Sequence, residues 1–310
     1  MTPGLDPSRS PRRGLTLALL TSLLWGTVPV AGKIALGGVS PPVLSVLRLA
    51  AAALFVFLLM ARRGVRPPRR PAPLLVLAAF GLGLNYVAYM VGLQWAGAGT
   101  SQVLIQMAPV FLVLLGVLFL GERLGRAEVL GASLAFLGAL LVSWREVEAT
   151  GGGLGIAFVL LAALAWSIYA VAQKLAGRTH GSGATTFWVF SMAAALNLPG
   201  AFLADGRSPD AVQILAVVYL CANTLVAYWA FAESLRHIPA STAGVIATLG
   251  PAVTFGLLAV ANATEQDRIP YEAITPTKIL GAVFVVVGVI LTVRGHGRRS
   301  KREPVTRPTA

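Results

Sequence analysis

The sequence predicts an all-α polytopic membrane protein of about ten transmembrane helices, arranged as two inverted five-helix repeats. Three observations carry that prediction: an extreme apolar composition, repeated stretches of membrane-spanning length, and residues of the first half that recur in order in the second. Of the 310 residues, 56% are hydrophobic and only 12% charged, with a mean hydropathy of +0.76. A soluble globular domain carries about twice that charged fraction. No water-soluble shape could cover so much apolar surface with so few charges. A bilayer core of about 30 Å calls instead for stretches of roughly 17–25 apolar residues. In lipid these must be helices, because an open strand would leave backbone groups unpaired.

The ten spans fall at 15–35, 43–61, 72–93, 101–120, 127–143, 153–175, 184–203, 211–231, 241–261 and 277–293. The first follows Ser10-Pro11-Arg12-Arg13-Gly14-Leu15, which mimics a twin-arginine export signal. Its run contains Trp25, Pro29 and Lys33, lacks a small-residue cleavage site and has a twin later in the chain, so a retained helix is expected. The second carries Arg48, about two turns inside. The third carries Asn85, Tyr86 and Tyr89, and the fourth Gln102, Gln106 and Pro109. The fifth, near the minimum length, holds Gly131 and Gly138 seven residues apart. Trp166, Tyr169 and Gln173 form one strip of the sixth, which has Lys174 near its end. The seventh is read from its length and apolarity alone. The eighth carries Asn223, Thr224 and Tyr228, and the ninth Pro251. The tenth, again short, repeats the glycine spacing with Gly281 and Gly288.

Charge sets the orientation. With the N-terminus cytoplasmic, inner segments hold nineteen Lys and Arg against five on the outer side, and Arg48 within the second span completes the 25. Positive charge favours the cytoplasmic face, so both termini are expected inside. That bias also accounts for the net charge of +13 without a nucleic-acid partner. Cys221 is the only cysteine, which excludes a disulfide framework and any CxxC site.

The repeat is visible residue by residue. Leu23-Leu24-Trp25 through Val30-Ala31-Gly32-Lys33 matches Leu164-Ala165-Trp166 through Val171-Ala172-Gln173-Lys174 at an offset of 141. Val87-Ala88-Tyr89 recurs as Val226-Ala227-Tyr228, and Thr100 and Pro109 recur as Thr242 and Pro251. Leu130-Gly131 and Gly138 recur as Leu280-Gly281 and Gly288 at an offset of 150. That last jump places an insertion at the polar segment 262–275. An odd number of helices per half turns the second half upside down. Inverted repeats set a solute site near the midplane and let access alternate by rocking one half against the other, which points to transport.

Several of these residues resemble the drug/metabolite transporter superfamily, specifically tandem EamA-type domains. They are Leu24-Trp25-Gly26, then Ser40-Pro41-Pro42 followed by Arg48, then Met107-Ala108-Pro109 leading to Gly121-Glu122-Arg123-Leu124. The second half keeps Leu249-Gly250-Pro251 but has Ala263-Thr264-Glu265 where the resemblance calls for Gly-Glu. The resemblance covers about 15–294, divided into a tail 1–14, repeats 15–144 and 153–294, and a basic tail 295–310. It implies a central cavity lined mainly by spans 1–4 and 6–9, with spans 5 and 10 peripheral. Members move amino acids, other metabolites or toxic compounds.

Polar groups at mid-membrane depth are costly unless they face a cavity or a partner. Trp25, Asn85, Tyr86, Tyr89, Gln102, Gln106, Trp166, Tyr169, Gln173, Asn223 and Tyr228 are therefore the candidate solute-binding set. The alternative for each is an interhelical hydrogen bond worth about 0.6 kcal/mol. Arg48 admits three roles: structural hydrogen bonding, solute contact, or snorkelling to the surface. Lys33 and Lys174 are helix-end charges or gates that attract an anionic or zwitterionic solute. Pro109 and Pro251 are expected to kink their helices, and the glycine pairs to permit close packing.

The expectation is a bacterial inner-membrane secondary transporter, monomeric or homodimeric, exporting a small metabolite by alternating access. An amino acid or similar polar or zwitterionic solute is the leading choice and a drug the next, with no cofactor and no metal. A flippase or channel of the same architecture is the alternative. An intramembrane enzyme fits poorly, because His180, His237 and His296 are scattered with no HExxH or GxSxG motif. No Asp or Glu is expected at the midplane, which disfavours proton antiport through a carboxylate.

Overall fold

The computed structural model describes residues 10–65, 73–120, 125–150, 153–176, 182–203, 206, 208–264 and 267–300. Among them are twelve helices: α1 (Pro11–Leu36), α2 (Pro41–Arg62), α3 (Pro73–Trp95), α4 (Ala98–Ile105), α5 (Ala108–Leu120), α6 (Arg126–Thr150), α7 (Gly153–Ala176), α8 (Ser182–Phe202), α9 (Ala211–His237), α10 (Ala240–Ala247), α11 (Gly250–Ala263) and α12 (Pro276–Ser300). They make ten segments, because α4 with α5, and α10 with α11, each continue one another across a two-residue turn. Nine of the ten are long and apolar enough to cross a membrane. The tenth, α8, packs against α2 and α3.

Local chemistry starts these helices where they start. Prolines occupy the first turn of α1 and α2, where a missing N–H removes no helical bond. Ser10 caps α1 by accepting from the Arg13 amide. Asp210 caps α9 in a capping box, accepting from Val212 and Gln213 while the Gln213 side chain accepts from the Asp210 amide. The fifth and tenth segments are longer than their apolar runs, 25 residues each. Apolarity marks the lipid-crossing part only; the helix itself continues through good helix formers such as Glu146 and Arg294.

Packing obeys a twofold exchange of the halves. The α3–α7 contact has its mate in α9–α1, α1–α11 in α7–α5, and α3–α8 in α9–α2. The α2–α8 and α6–α12 contacts map onto themselves. In the latter, a Cβ on Gly131 would lie 2.6 Å from the Gly288 carbonyl oxygen, and one on Gly138 would lie 2.5 Å from that of Gly281. As one number rises by seven the other falls by seven, so α6 and α12 run antiparallel. Only glycine allows backbones this close. The outward faces carry exposed apolar residues such as Leu54, Leu140, Leu215 and Val260, as a lipid-facing surface requires.

The sequence places a proline kink inside the fourth and ninth segments; the structure has a full break in each. The turn falls at Gln106-Met107 and again at Thr248-Leu249, and Pro109 and Pro251 then sit in the first turn of α5 and α11. A proline whose own helix starts one residue earlier forfeits no backbone bond, so breaking is cheaper here than bending.

Candidate functional site

The polar residues of the spans fall into three groups. The first surrounds Arg48. Its side chain is buried and turned inward, so it does not snorkel. Nε donates to Thr224 Oγ1 on α9 at 3.1 Å, and the guanidinium carbon lies 4.7 Å from the ring centroid of Tyr86 on α3. Thr224 in turn donates to the Leu220 carbonyl at 2.9 Å. One side chain thus links α2, α3 and α9. It also stands close enough to Tyr89, Cys221 and Tyr228 for its charge to act on them. Among the described residues no carboxylate pairs with it. A central arginine costs about 2.5–3.5 kcal/mol on insertion scales. A desolvated cation–π contact returns about 2 kcal/mol, and Thr224 satisfies one of five N–H donors.

Aromatic rings continue from that point. Tyr86, Tyr169 and Phe190 share one buried cluster, against which Trp166 and Tyr228 pack. Tyr228 meets Phe190 edge-on at 5.6 Å and Trp25 at 6.0 Å, and Trp166 meets Tyr169 at 6.3 Å. The Tyr86 and Tyr89 hydroxyls are buried and have no hydrogen-bond partner. Gln173 lies one turn beyond Tyr169 and is half-buried. Phe190 has no polar signature and was not among the sequence candidates.

The second group ties helices together. Asn85 donates to the Ala162 carbonyl at 2.9 Å, joining α3 to α7. Asn223 donates to the Leu24 carbonyl at 2.8 Å and to Thr27 and Tyr219, joining α9 to α1, and the Thr27 and Tyr219 hydroxyls meet each other. The Asn223 Oδ1 remains buried without a partner. Tyr219 and Asn223 stand at i, i+4, the one signal that could have paired them beforehand.

The third group sits at the helix breaks. Gln106 Nε2 donates to the Ala247 carbonyl at 3.2 Å, so the first break reaches the last turn before the second. Gln102 is buried against Gly250, whose missing Cβ leaves it room. Ser167 donates to the Ala108 carbonyl at 2.7 Å and Thr254 to the Gly26 carbonyl at 2.6 Å, which ties α7 to the start of α5 and α11 to α1.

Away from all three, Lys33 Nζ reaches the Gln94 carbonyl at 3.5 Å. The side chain of Lys174 lies outside the described residues. A buried ion pair absent from the sequence candidates joins the inserted segment to the start of α12: Lys278 Nζ meets Glu272 Oε1 at 2.9 Å, both nearly inaccessible. Glu272 also accepts from the Gly99 and Thr100 amides, so a loop carboxylate caps α4. Among the described residues no three His, Cys, Asp or Glu side chains converge as a metal site.

Comparison with known proteins adds to this geometry. Residues 12–144 and 153–294 each match the EamA-like transporter family. An uncharacterized inner membrane transporter of Escherichia coli, YhbE, is 28% identical, with 96% of this chain and 97% of that protein covered. An uncharacterized transporter of Haemophilus influenzae is 26% identical over 93% of this chain and 97% of its own. A probable terminal-alkyne amino-acid exporter of Streptantibioticus cattleyicolor is 29% identical over 91% and 94%. A crystal structure of a 22% identical protein has the same fold, with a TM-score of 0.65 over 91% of this chain and 98% of the other.

Proposed function

Because the chain belongs to the EamA-like transporter family, we propose that it is a bacterial inner-membrane carrier that exports a small amino-acid-like or other polar metabolite by alternating access. The observation that carries this reading is the pair of buried, unpartnered hydroxyls of Tyr86 and Tyr89, Tyr86 clustered with Trp166, Tyr169, Phe190 and Tyr228, and Tyr89 in the neighbouring cluster against which Trp166 also packs. Polar tips within an aromatic wall, on helices of both halves, suit a solute with apolar and polar ends. The paired breaks of α4/α5 and α10/α11 supply points at which the halves can flex. The relative named as an amino-acid exporter favours an amino-acid-like cargo over a lipid.

The same proposal sets the repeats at 15–144 and 153–294 and puts both termini in the cytoplasm, on the charge bias of the connecting segments. Single cysteines at Gly64 and Ser208, in a Cys221→Ser background, test the orientation. An impermeant maleimide added to intact cells should label position 208 and spare position 64. The reverse pattern sinks the orientation.

Transport itself is tested with purified protein in liposomes loaded with isotope-labelled bacterial extract. Saturable counterflow of extract solutes, chemically unchanged, is the carrier result. Covalent change to the solutes would favour an enzyme, and rapid unsaturable leakage a channel.

A further inference from the structure

We propose that Arg48 is the specificity-determining residue of this site and that it receives the carboxylate of a monoanionic or zwitterionic solute. The inference rests on the transport reading above and deepens it. The guanidinium stays charged at any biological pH, and its five N–H donors form a planar fork matched to a carboxylate. Only Nε has an acceptor, Thr224 Oγ1; the terminal nitrogens, which are the two that clamp a carboxylate side-on, have none among the described residues. A structural arginine in a membrane interior would be expected to hold carbonyls or a carboxylate with those nitrogens. This one is positioned from below by the Tyr86 ring and from one side by Thr224, and is otherwise left open.

The neighbours fit the rest of such a solute. Tyr86 and Tyr89 stand at i, i+3 on one face of α3, and their hydroxyls are buried donors still lacking acceptors. An anion held at Arg48 supplies acceptors to both. A single guanidinium, with no second cation described beside it, matches one negative charge and not a phosphate dianion or a dicarboxylate. Beyond it, Phe190, Trp166, Tyr169 and Tyr228 offer ring faces to an apolar side chain or to an ammonium group.

Two measurements test this. In the liposome counterflow assay, the solutes taken up by wild-type protein should carry a free carboxylate. Each is then compared with its carboxamide, for example L-leucine with L-leucinamide and L-phenylalanine with L-phenylalaninamide; the amide should compete at least tenfold less well. Arg48→Gln should lose tenfold or more in affinity for the carboxylates, with Arg48→Lys recovering part of it. Should Arg48→Gln fail to fold, Tyr86→Phe keeps the ring beneath the guanidinium and removes only the hydroxyl, and it should weaken carboxylates several-fold and the amides less. Uptake confined to solutes without a carboxylate, or equal competition by acid and amide, overturns the inference and leaves the carrier reading standing. Absence of counterflow for every solute removes the carrier reading, and the inference with it.

Discussion

Gln106 donates from its side-chain amide to the backbone carbonyl of Ala247 at 3.2 Å, joining the break in one five-helix half to the break in the other. The residues are 141 positions apart in sequence; Gln106 lies in the turn that interrupts its segment and Ala247 ends the helix just before the other turn. A bond at this place couples the two points where backbone hydrogen bonding is already relaxed.

Gln106→Ala should therefore affect motion more than stability. An average interhelical side-chain bond in a membrane contributes about 0.6 kcal/mol. The melting temperature should shift by no more than about 2 °C, since that is a small part of the whole. Counterflow rate should change at least twofold. A large stability loss with unchanged transport would show that the bond holds the fold and has no part in flexing.

The glycine contacts predict opposite signs for one chemical change. A Cβ at Gly288 would collide with the Ala135 amide and lie 2.5 Å from the Gly131 carbonyl oxygen, both backbone atoms that cannot yield singly. Gly288→Ala gains about 1 kcal/mol of helix propensity but incurs overpacking of roughly 1–3 kcal/mol, so it should destabilise. At Gly256 nothing lies within 4 Å of the added carbon, so Gly256→Ala should stabilise by up to about 1 kcal/mol. Thermal unfolding in one detergent compares them directly.

Breaking the Glu272–Lys278 pair should be severe. Both are buried, and truncating either one breaks a close buried ion pair, a change that costs about 3–5 kcal/mol. Glu272→Gln and Lys278→Gln should each destabilise by that order, and the double variant by clearly less than their sum. Additive losses would mean that the two side chains act independently. Because Glu272 also caps α4 through Gly99 and Thr100, its variant should be the worse of the two.

Asp210 gives a pH signature. The hydrogen bond from Arg268, helped by the Gln213 amide, holds its carboxyl below the ordinary value of 3.8. A lowered folded value means that the stabilisation is complete above the ordinary range and is lost as pH falls through the lowered one. The melting-point difference between wild type and Asp210→Asn should stay constant from pH 7 to pH 5 and shrink below about pH 4. A difference that changes between pH 7 and pH 5 would assign the effect to another group.

Much of the candidate site was legible as residue types and little of it as arrangement. Asn85, Tyr86, Tyr89, Trp166 and Asn223 declare themselves because polar and aromatic groups are conspicuous in apolar helices. Their division of labour does not show. Asn85 and Asn223 spend their amide donors on the backbone of α7 and α1, while Tyr86 and Tyr89 keep free hydroxyls. Phe190 is invisible in a helix already apolar. Glu272 lies in the polar segment 262–275, and nothing local tells that this segment folds back over α4. Pro109 and Pro251 marked the right places, but the choice between bend and break depends on whether a carbonyl such as that of Ala247, four residues before Pro251, finds donors elsewhere, here the side chains of Gln106 and Ser22.

By itself the sequence determined the solvent, the number of segments and the inverted pairing of the halves. Partition into lipid is a sum over some twenty consecutive residues, and a repeat is a comparison of positions, so both are complete before anything folds. Which groups meet was decided only by tertiary structure. Arg48 and Thr224 are 176 residues apart, and Thr100 and Glu272 are 172. A buried charge takes its role from partners brought beside it by packing, and no window along the chain contains them.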